Sequence, residues 1–152
     1  MTIRTARKNE IKTLQTLNKE IFIDNHKYDL DLKMDWTQSE AGKKYFTNIL
    51  NNTNAICLIA EKNSVPIGYI VAAPKKFGYR LSKYIEIENI VVLPKYRSLG
   101  IGSRLITECL KIAKEKGFQK TYVSSYYKNS KAIKFYEKIG FKKIDISLEQ
   151  NI

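Results

Sequence analysis

Histidine is almost missing from this chain, and His26 stands alone without ligand-like neighbours. Cysteine is nearly as scarce. Cys57 and Cys109 lie in apolar surroundings and outside any CxxC pair. These residues are too few and too scattered to build a metal centre, so no metal is expected. Both thiols read as buried and reduced. No stretch approaches the ~18 uninterrupted apolar residues of a membrane span. The opening residues, MTIRTARKNE, hold no apolar signal core. A cytoplasmic protein with no membrane partner is expected. Acidic residues are also thin, 15 against 27 Lys and Arg, for a net charge of +12. Such a balance suits an anionic partner: nucleic acid, a membrane surface or a phosphorylated ligand. The lysines are spread along the whole chain, however, as on a solvated surface. Zinc-finger, RNP-like and helix-turn-helix signatures are missing too. Nucleic-acid binding therefore rests on charge alone.

What is there fits one domain over residues 1–152, with 43% apolar and 28% charged residues and no repeat, linker or low-complexity segment. Residues 2–5 suit a short strand. Residues 9–23 suit a helix, with Ile11, Leu14, Leu17, Ile21 and Phe22 near helical spacing. Residues 24–38 read as a polar loop, and Ser39 as the N-cap of a second helix. Segments 55–61 and 67–73 form a hairpin around KNSVP, and 84–92 is a strand rich in β-branched residues. A helix then runs to about Lys116, stopped by Gly117. A strand at 121–125, a helix at 130–139 and a strand at 141–149 complete the order β-α-α-β-β-β-α-β-α-β. Strand-helix-strand units in the second half imply an α/β fold with a partly parallel sheet.

The segment VVLPKYRSLGIGSRL, 91–105, is the most informative. A strand ends, Pro94 breaks its ladder, and Arg97-Ser98-Leu99-Gly100-Ile101-Gly102 opens a helix. A helix start offers unpaired N–H groups and partial positive charge. Glycine lets the backbone approach a ligand closely, and Arg97 adds a cation. Together these parts make a pyrophosphate cradle. A bare GxG also suits a tight turn without ligand. Neither GxxxxGK[ST] nor GxGxxG occurs.

The whole segment resembles the cofactor motif of the GNAT superfamily of N-acetyltransferases, a strand followed by [QR]-x-x-G-x-[GA], here RSLGIG. NSKAIKFYEKIGF, 129–141, resembles a second motif of that family, and the resemblance covers nearly the whole chain. It implies a central mixed sheet, mostly antiparallel, splayed between strands 4 and 5 and flanked by helices. It further implies acetyl-CoA as co-substrate, lying in that gap. Backbone groups of Ile90, Val91 and Val92 would pair with the pantetheine arm. The amides of Ser98, Leu99, Gly100, Ile101, Gly102 and Ser103 would hold the pyrophosphate, helped by Arg97. Asn129 would lie beside the arm. Many members carry two strands after the last helix, whereas this sequence has room for one good strand. Either the further strand is absent or a homodimer partner completes the sheet.

Acetyl transfer needs a neutral amine, yet a lysine-like amine, pKa ~10.4, is neutral in only about one molecule in ~10³ at pH 7. A general base removes that limit. Glu86 and Glu88 sit two apart on one strand and so share a face. Acids within an apolar strand need a reason, because burying a carboxylate is costly. Glu88 resembles a glutamate found at this position in several family members, and burial there would make it a better base. Glu86 is the alternative. Tyr136 reads either as a core aromatic on a short helix or, since the family places a tyrosine here with its hydroxyl near the cofactor sulfur, as the general acid that the resemblance implies.

The family's acceptors include small amines, aminoglycosides, amino acids, and protein N-termini or lysines. Their site usually involves the segment between the first two helices, here IDNHKYDLDLKMDWTQSE. It concentrates Asp24, Asp29, Asp31, Asp35 and Glu40 with Tyr28 and Trp36. Either this loop is merely solvated, or it forms a rim that attracts a polyamine, aminoglycoside or basic peptide. The expected activity is N-acetyl transfer to a primary amine, small or peptidic, by direct attack in a ternary complex. A non-catalytic CoA sensor and a nucleic-acid-binding protein are the alternatives.

Overall fold

The structure is a computed structural model that describes residues 1–152. Its elements are β1 (Thr2–Thr5), α1 (Ile11–Asn25), α2 (Glu40–Asn51), β2 (Ile56–Lys62), β3 (Val65–Lys75), β4 (Tyr84–Val92), α3 (Ile101–Glu115), β5 (Lys120–Val123) and α4 (Ser130–Ile139), with short 3-10 turns at Trp36–Gln38 and Pro94–Tyr96. The strands form one sheet in the order β1-β2-β3-β4-β5. Neighbours run antiparallel except β4 and β5, which are parallel. A parallel pair needs a crossover, and α3 supplies it. Between β2 and β3, Asn63 and Ser64 take φ of 51° and 61°. Two left-handed residues make the tight turn whose twist matches a hairpin.

Each face of the sheet buries its own apolar cluster. Leu58, Ile70, Ile85 and Ile87 face Leu105, Ile106 and Cys109 of α3. Ile59, Tyr69 and Val71 face Leu14 and Leu17 of α1 and Phe46 of α2. The Ser39 hydroxyl accepts from the Gly42 amide at 3.2 Å, the expected N-cap of α2.

Two irregularities shape β4. Val71 pairs with Asn89 but Ala72 pairs with Ile87, so Glu88 is the extra residue of a β-bulge. The bulge turns Glu86, Glu88 and Asn89 toward a common cleft, while Ile85, Ile87 and Ile90 keep to the α3 face. On its other edge β4 meets β5 only from Tyr84 to Ile87. Glu88–Val92 therefore runs on without a β5 partner, which is the expected splay between strands 4 and 5.

The strand expected at 141–149 does not form. Residues 141–152 carry no strand pairing, and Ile144, Ile146 and Leu148 stay exposed. Alternating apolar residues give a segment the capacity to pair, but they do not supply a hydrogen-bonded neighbour. The first helix also sits two residues later than its periodicity suggested, at Ile11–Asn25.

Candidate active site

The loop between β4 and α3 follows from its backbone. Ser98 and Gly100 both take left-handed φ, 63° and 79°. Gly100 is the N-cap of α3 and supplies no side-chain cap. The first amide of this stretch bonded to the protein is that of Arg104, to the Gly100 carbonyl at 3.1 Å. The N–H groups from Ser98 through Ser103 donate to no protein acceptor. A Cβ on Gly100 would meet no protein atom within 4 Å. Free amides at the positive end of a 15-residue helix form a cradle that fits an anion such as a pyrophosphate.

Arg97 flanks this cradle, but its guanidinium is already engaged. Nε donates to the Val92 carbonyl at 2.8 Å, and Nη2 donates to Asp24 at 2.7 Å. Asn129 caps α4 by accepting from the Ala132 amide at 3.1 Å. Ile90 and Val92 pack against the α3 face and Val91 against the opposite one.

Beside the bulge lies an open cleft of about 610 Å³, lined by Phe22, Asp31, Leu32, Lys33, Trp36, Tyr45, Glu86, Ile87, Glu88, Asn89 and Ser124. Glu88 is solvent-exposed rather than buried, because the bulge lifts it out of the ladder. The Tyr45 hydroxyl donates to Glu88 Oε1 at 2.6 Å and accepts from Asn89 Nδ2 at 2.7 Å. Asn18 donates to the Tyr69 hydroxyl at 2.8 Å and to Asn89 Oδ1 at 3.3 Å, and accepts from Thr37 at 2.6 Å. Burial and the adjacent carboxylate push the Tyr45 phenol far above its ordinary value, so it remains a donor. One carboxylate oxygen of Glu88 is thus fixed by a network anchored in α1 and α2, while Oε2 has no protein partner. Glu86 faces the same cleft. Burial raises its pKa, against the pull of Lys75 at 3.7 Å.

The expected acceptor rim divides. Trp36, Asp31 and Glu86 line the cleft with Glu88, whereas Tyr28, Asp29 and Asp35 do not. Asp29 accepts from the Tyr126 hydroxyl at 2.7 Å, and Tyr28 stacks on the Tyr126 ring at 6.0 Å. Tyr136 lies on α4 outside the cleft lining, against Phe135 and Phe141. Burial pushes its phenol up to about 12. Sequence reasoning missed Phe22, Tyr45, Asn89 and Asn18. Phe22 reads only as one of the apolar positions of the first helix. Asn89, a polar residue beside Glu88 in an apolar strand, was the one available signal.

A sheet opened beside a cradle of free amides, with a carboxylate at the bulge, is an α/β site able to hold an anionic ligand next to a proton acceptor. The chain belongs to the acetyltransferase (GNAT) family, whose profile matches residues 14–141. It is therefore an acyltransferase. An N-alpha-acetyltransferase of Sulfurisphaera tokodaii is 27% identical over 153 residues, 95% of this chain and 81% of that protein. A glucosamine 6-phosphate N-acetyltransferase of Trypanosoma brucei brucei is 41% identical over 57 residues, 38% of this chain and 37% of that one. Among solved structures, the aminoglycoside N-acetyltransferase AAC(6′)-Iy in complex with CoA superposes with a TM-score of 0.76 at 20% identity, covering 99% of this chain and 98% of its own.

Proposed function

We propose that this protein moves the acetyl group of acetyl-CoA directly onto a primary amine. The observation that carries this reading is the run of free amides from Ser98 to Ser103, at the end of the stretch of β4 that runs from Glu88 without a β5 partner. A pyrophosphate would be held by those amides. The acyl-bearing arm would run along Ile90–Val92 toward the bulge. The AAC(6′)-Iy structure with CoA, and another of that protein with a CoA bisubstrate analog, are consistent with such a donor. Asn129, the N-cap of α4, would lie beside that arm.

At the bulge, the amine nitrogen attacks the acetyl carbon, a C–N bond forms and the C–S bond breaks. Glu88 takes the ammonium proton through its unbonded oxygen, directly or through water. Tyr136 returns a proton to the departing thiolate; with its phenol near 12 it stays protonated at neutral pH. No side chain need carry the acetyl group. Cys57 and Cys109 are buried, and burial pushes both thiols up to about 12, which leaves no thiolate to act as nucleophile.

The experiment is calorimetric titration of acetyl-CoA into the wild type and Gly100→Trp. A side chain at Gly100 projects away from the protein, so it obstructs only a ligand on the cradle, at a backbone cost of about 1 kcal/mol. Affinity should fall at least tenfold, about 1.4 kcal/mol, while the variant stays folded. Equal affinity in the two proteins would remove the cradle from the reading.

A further inference from the structure

We infer that the cleft selects primary amines bearing a bulky apolar or aromatic group next to the ammonium, over polyamines and other multiply charged acceptors. This rests on the acetyl-transfer reading and assigns the acceptor class of that same site. The first observation is an aromatic wall. Phe22 stacks on Trp36 at 5.8 Å with 20° between planes, and Trp36 meets Tyr45 at 5.8 Å. Leu32 extends it along the cleft. Phe22 and Trp36 pack with neither core cluster. They are half-buried and turned to the cleft, and an apolar wall with a few convergent polar groups is the usual form of a small-ligand site.

The wall is held rigidly. A Cβ on Gly42 would come within 2.5 Å of the Trp36 carbonyl, so α2 is pressed against the turn that carries Trp36. The Ser39 hydroxyl donates to that same carbonyl. A pre-formed wall binds an apolar group without the cost of ordering it.

The second observation concerns charge. A polycation needs several free carboxylates in the cleft, and of the loop's acids only Asp31 lines it, beside Glu86 and Glu88 of β4. Asp24 is paired with Arg97, Asp29 accepts from Tyr126 and from the Asp31 amide, and Glu86 lies 3.7 Å from Lys75. Lys33 adds a positive charge to the lining. Glu88 and Asp31 are left as the cleft carboxylates without a cationic partner. That complement suits one ammonium, and the +12 net charge disfavours a polycation further.

Trp36 is the single tryptophan of the chain, so its fluorescence reports amine binding without turnover. The panel is phenethylamine against ethanolamine, phenylalanine-initiated against serine-initiated tetrapeptides, and spermidine. Each is titrated on the acetyl-CoA-free and CoA-bound protein and assayed for kcat/KM. The apolar member of each pair should bind and react roughly 10–100-fold better than its polar counterpart, and better than spermidine. Preference for free amine or peptide tells the source of that group. Phe22→Ala, which keeps the Trp36 reporter, should collapse the preference, and Leu32→Ser should reduce it. Spermidine binding as tightly as phenethylamine, or no preference within the pairs, overturns the proposal. The preference in binding without acetylation of any amine would overturn the transfer reading and leave the selectivity standing.

Discussion

Glu88 owes its place to a single inserted residue in β4. The bulge exposes the carboxylate, so what would equip it as the proposed base is geometry: one oxygen held by Tyr45, the other open to the cleft. Its pairing with Glu86 on one face was legible from their spacing, but its exposure was not, because nothing in YIEIENIVV marks which residue lacks a partner on β3. Glu88→Gln preserves the Tyr45 hydrogen bond and removes proton acceptance. It should lower kcat/KM by about 10²–10⁴ at neutral pH. Because a free amine deprotonates by itself as pH approaches its pKa, near ~10.4, the deficit should shrink in alkaline buffer. A deficit that is constant with pH would make Glu88 a structural residue. For Tyr136, the Phe variant keeps the ring that packs between Phe135 and Phe141. A fall in kcat of roughly 10–10³-fold, with melting temperature and acetyl-CoA affinity unchanged, is expected. Unchanged kcat under chemistry-limited conditions would take Tyr136 out of the reaction.

Among the elements, those governed by local chemistry were readable. The Ser39 cap, the hairpin between β2 and β3, and the glycine stops of α3 and α4 each follow from residues next to the feature. Contacts across the chain were not readable. The 3-10 turn at Trp36–Gln38 exists because Gln15 donates to the Thr37 carbonyl at 2.9 Å and Thr37 bonds Asn18, some 20 residues away. The strand expected at 141–149 failed for the same reason, since its pattern could not disclose whether a neighbour stands ready. Gly42 tests how far this packing sets the site. A methyl there must displace the Trp36 and Thr37 carbonyls, 2.5 and 2.6 Å away. Gly42→Ala should cost about 1–3 kcal/mol of stability. It should also raise KM for the acceptor while leaving acetyl-CoA affinity alone, because the cradle opens α3, which packs on the opposite face of the sheet from α2. A parallel loss of both would mean the two halves of the site are not separately built.

Across the whole molecule, two clusters on opposite faces of one sheet fix β4 from both sides, and Glu88 follows the last residue of β4 that pairs with β5. α1 and α2 would bring the proposed acceptor wall, while α3 and α4 would bring the proposed cradle and Tyr136. The direct-transfer claim depends on both substrates meeting there together. Its test is the initial rate of CoA thiol release, with acetyl-CoA varied at several fixed concentrations of the best amine. Release that requires the amine, with double-reciprocal lines that intersect, is the expected result for a ternary complex. Parallel lines would mean that the protein itself carries the acetyl group, and release indifferent to every amine would mean that it is not an amine acetyltransferase.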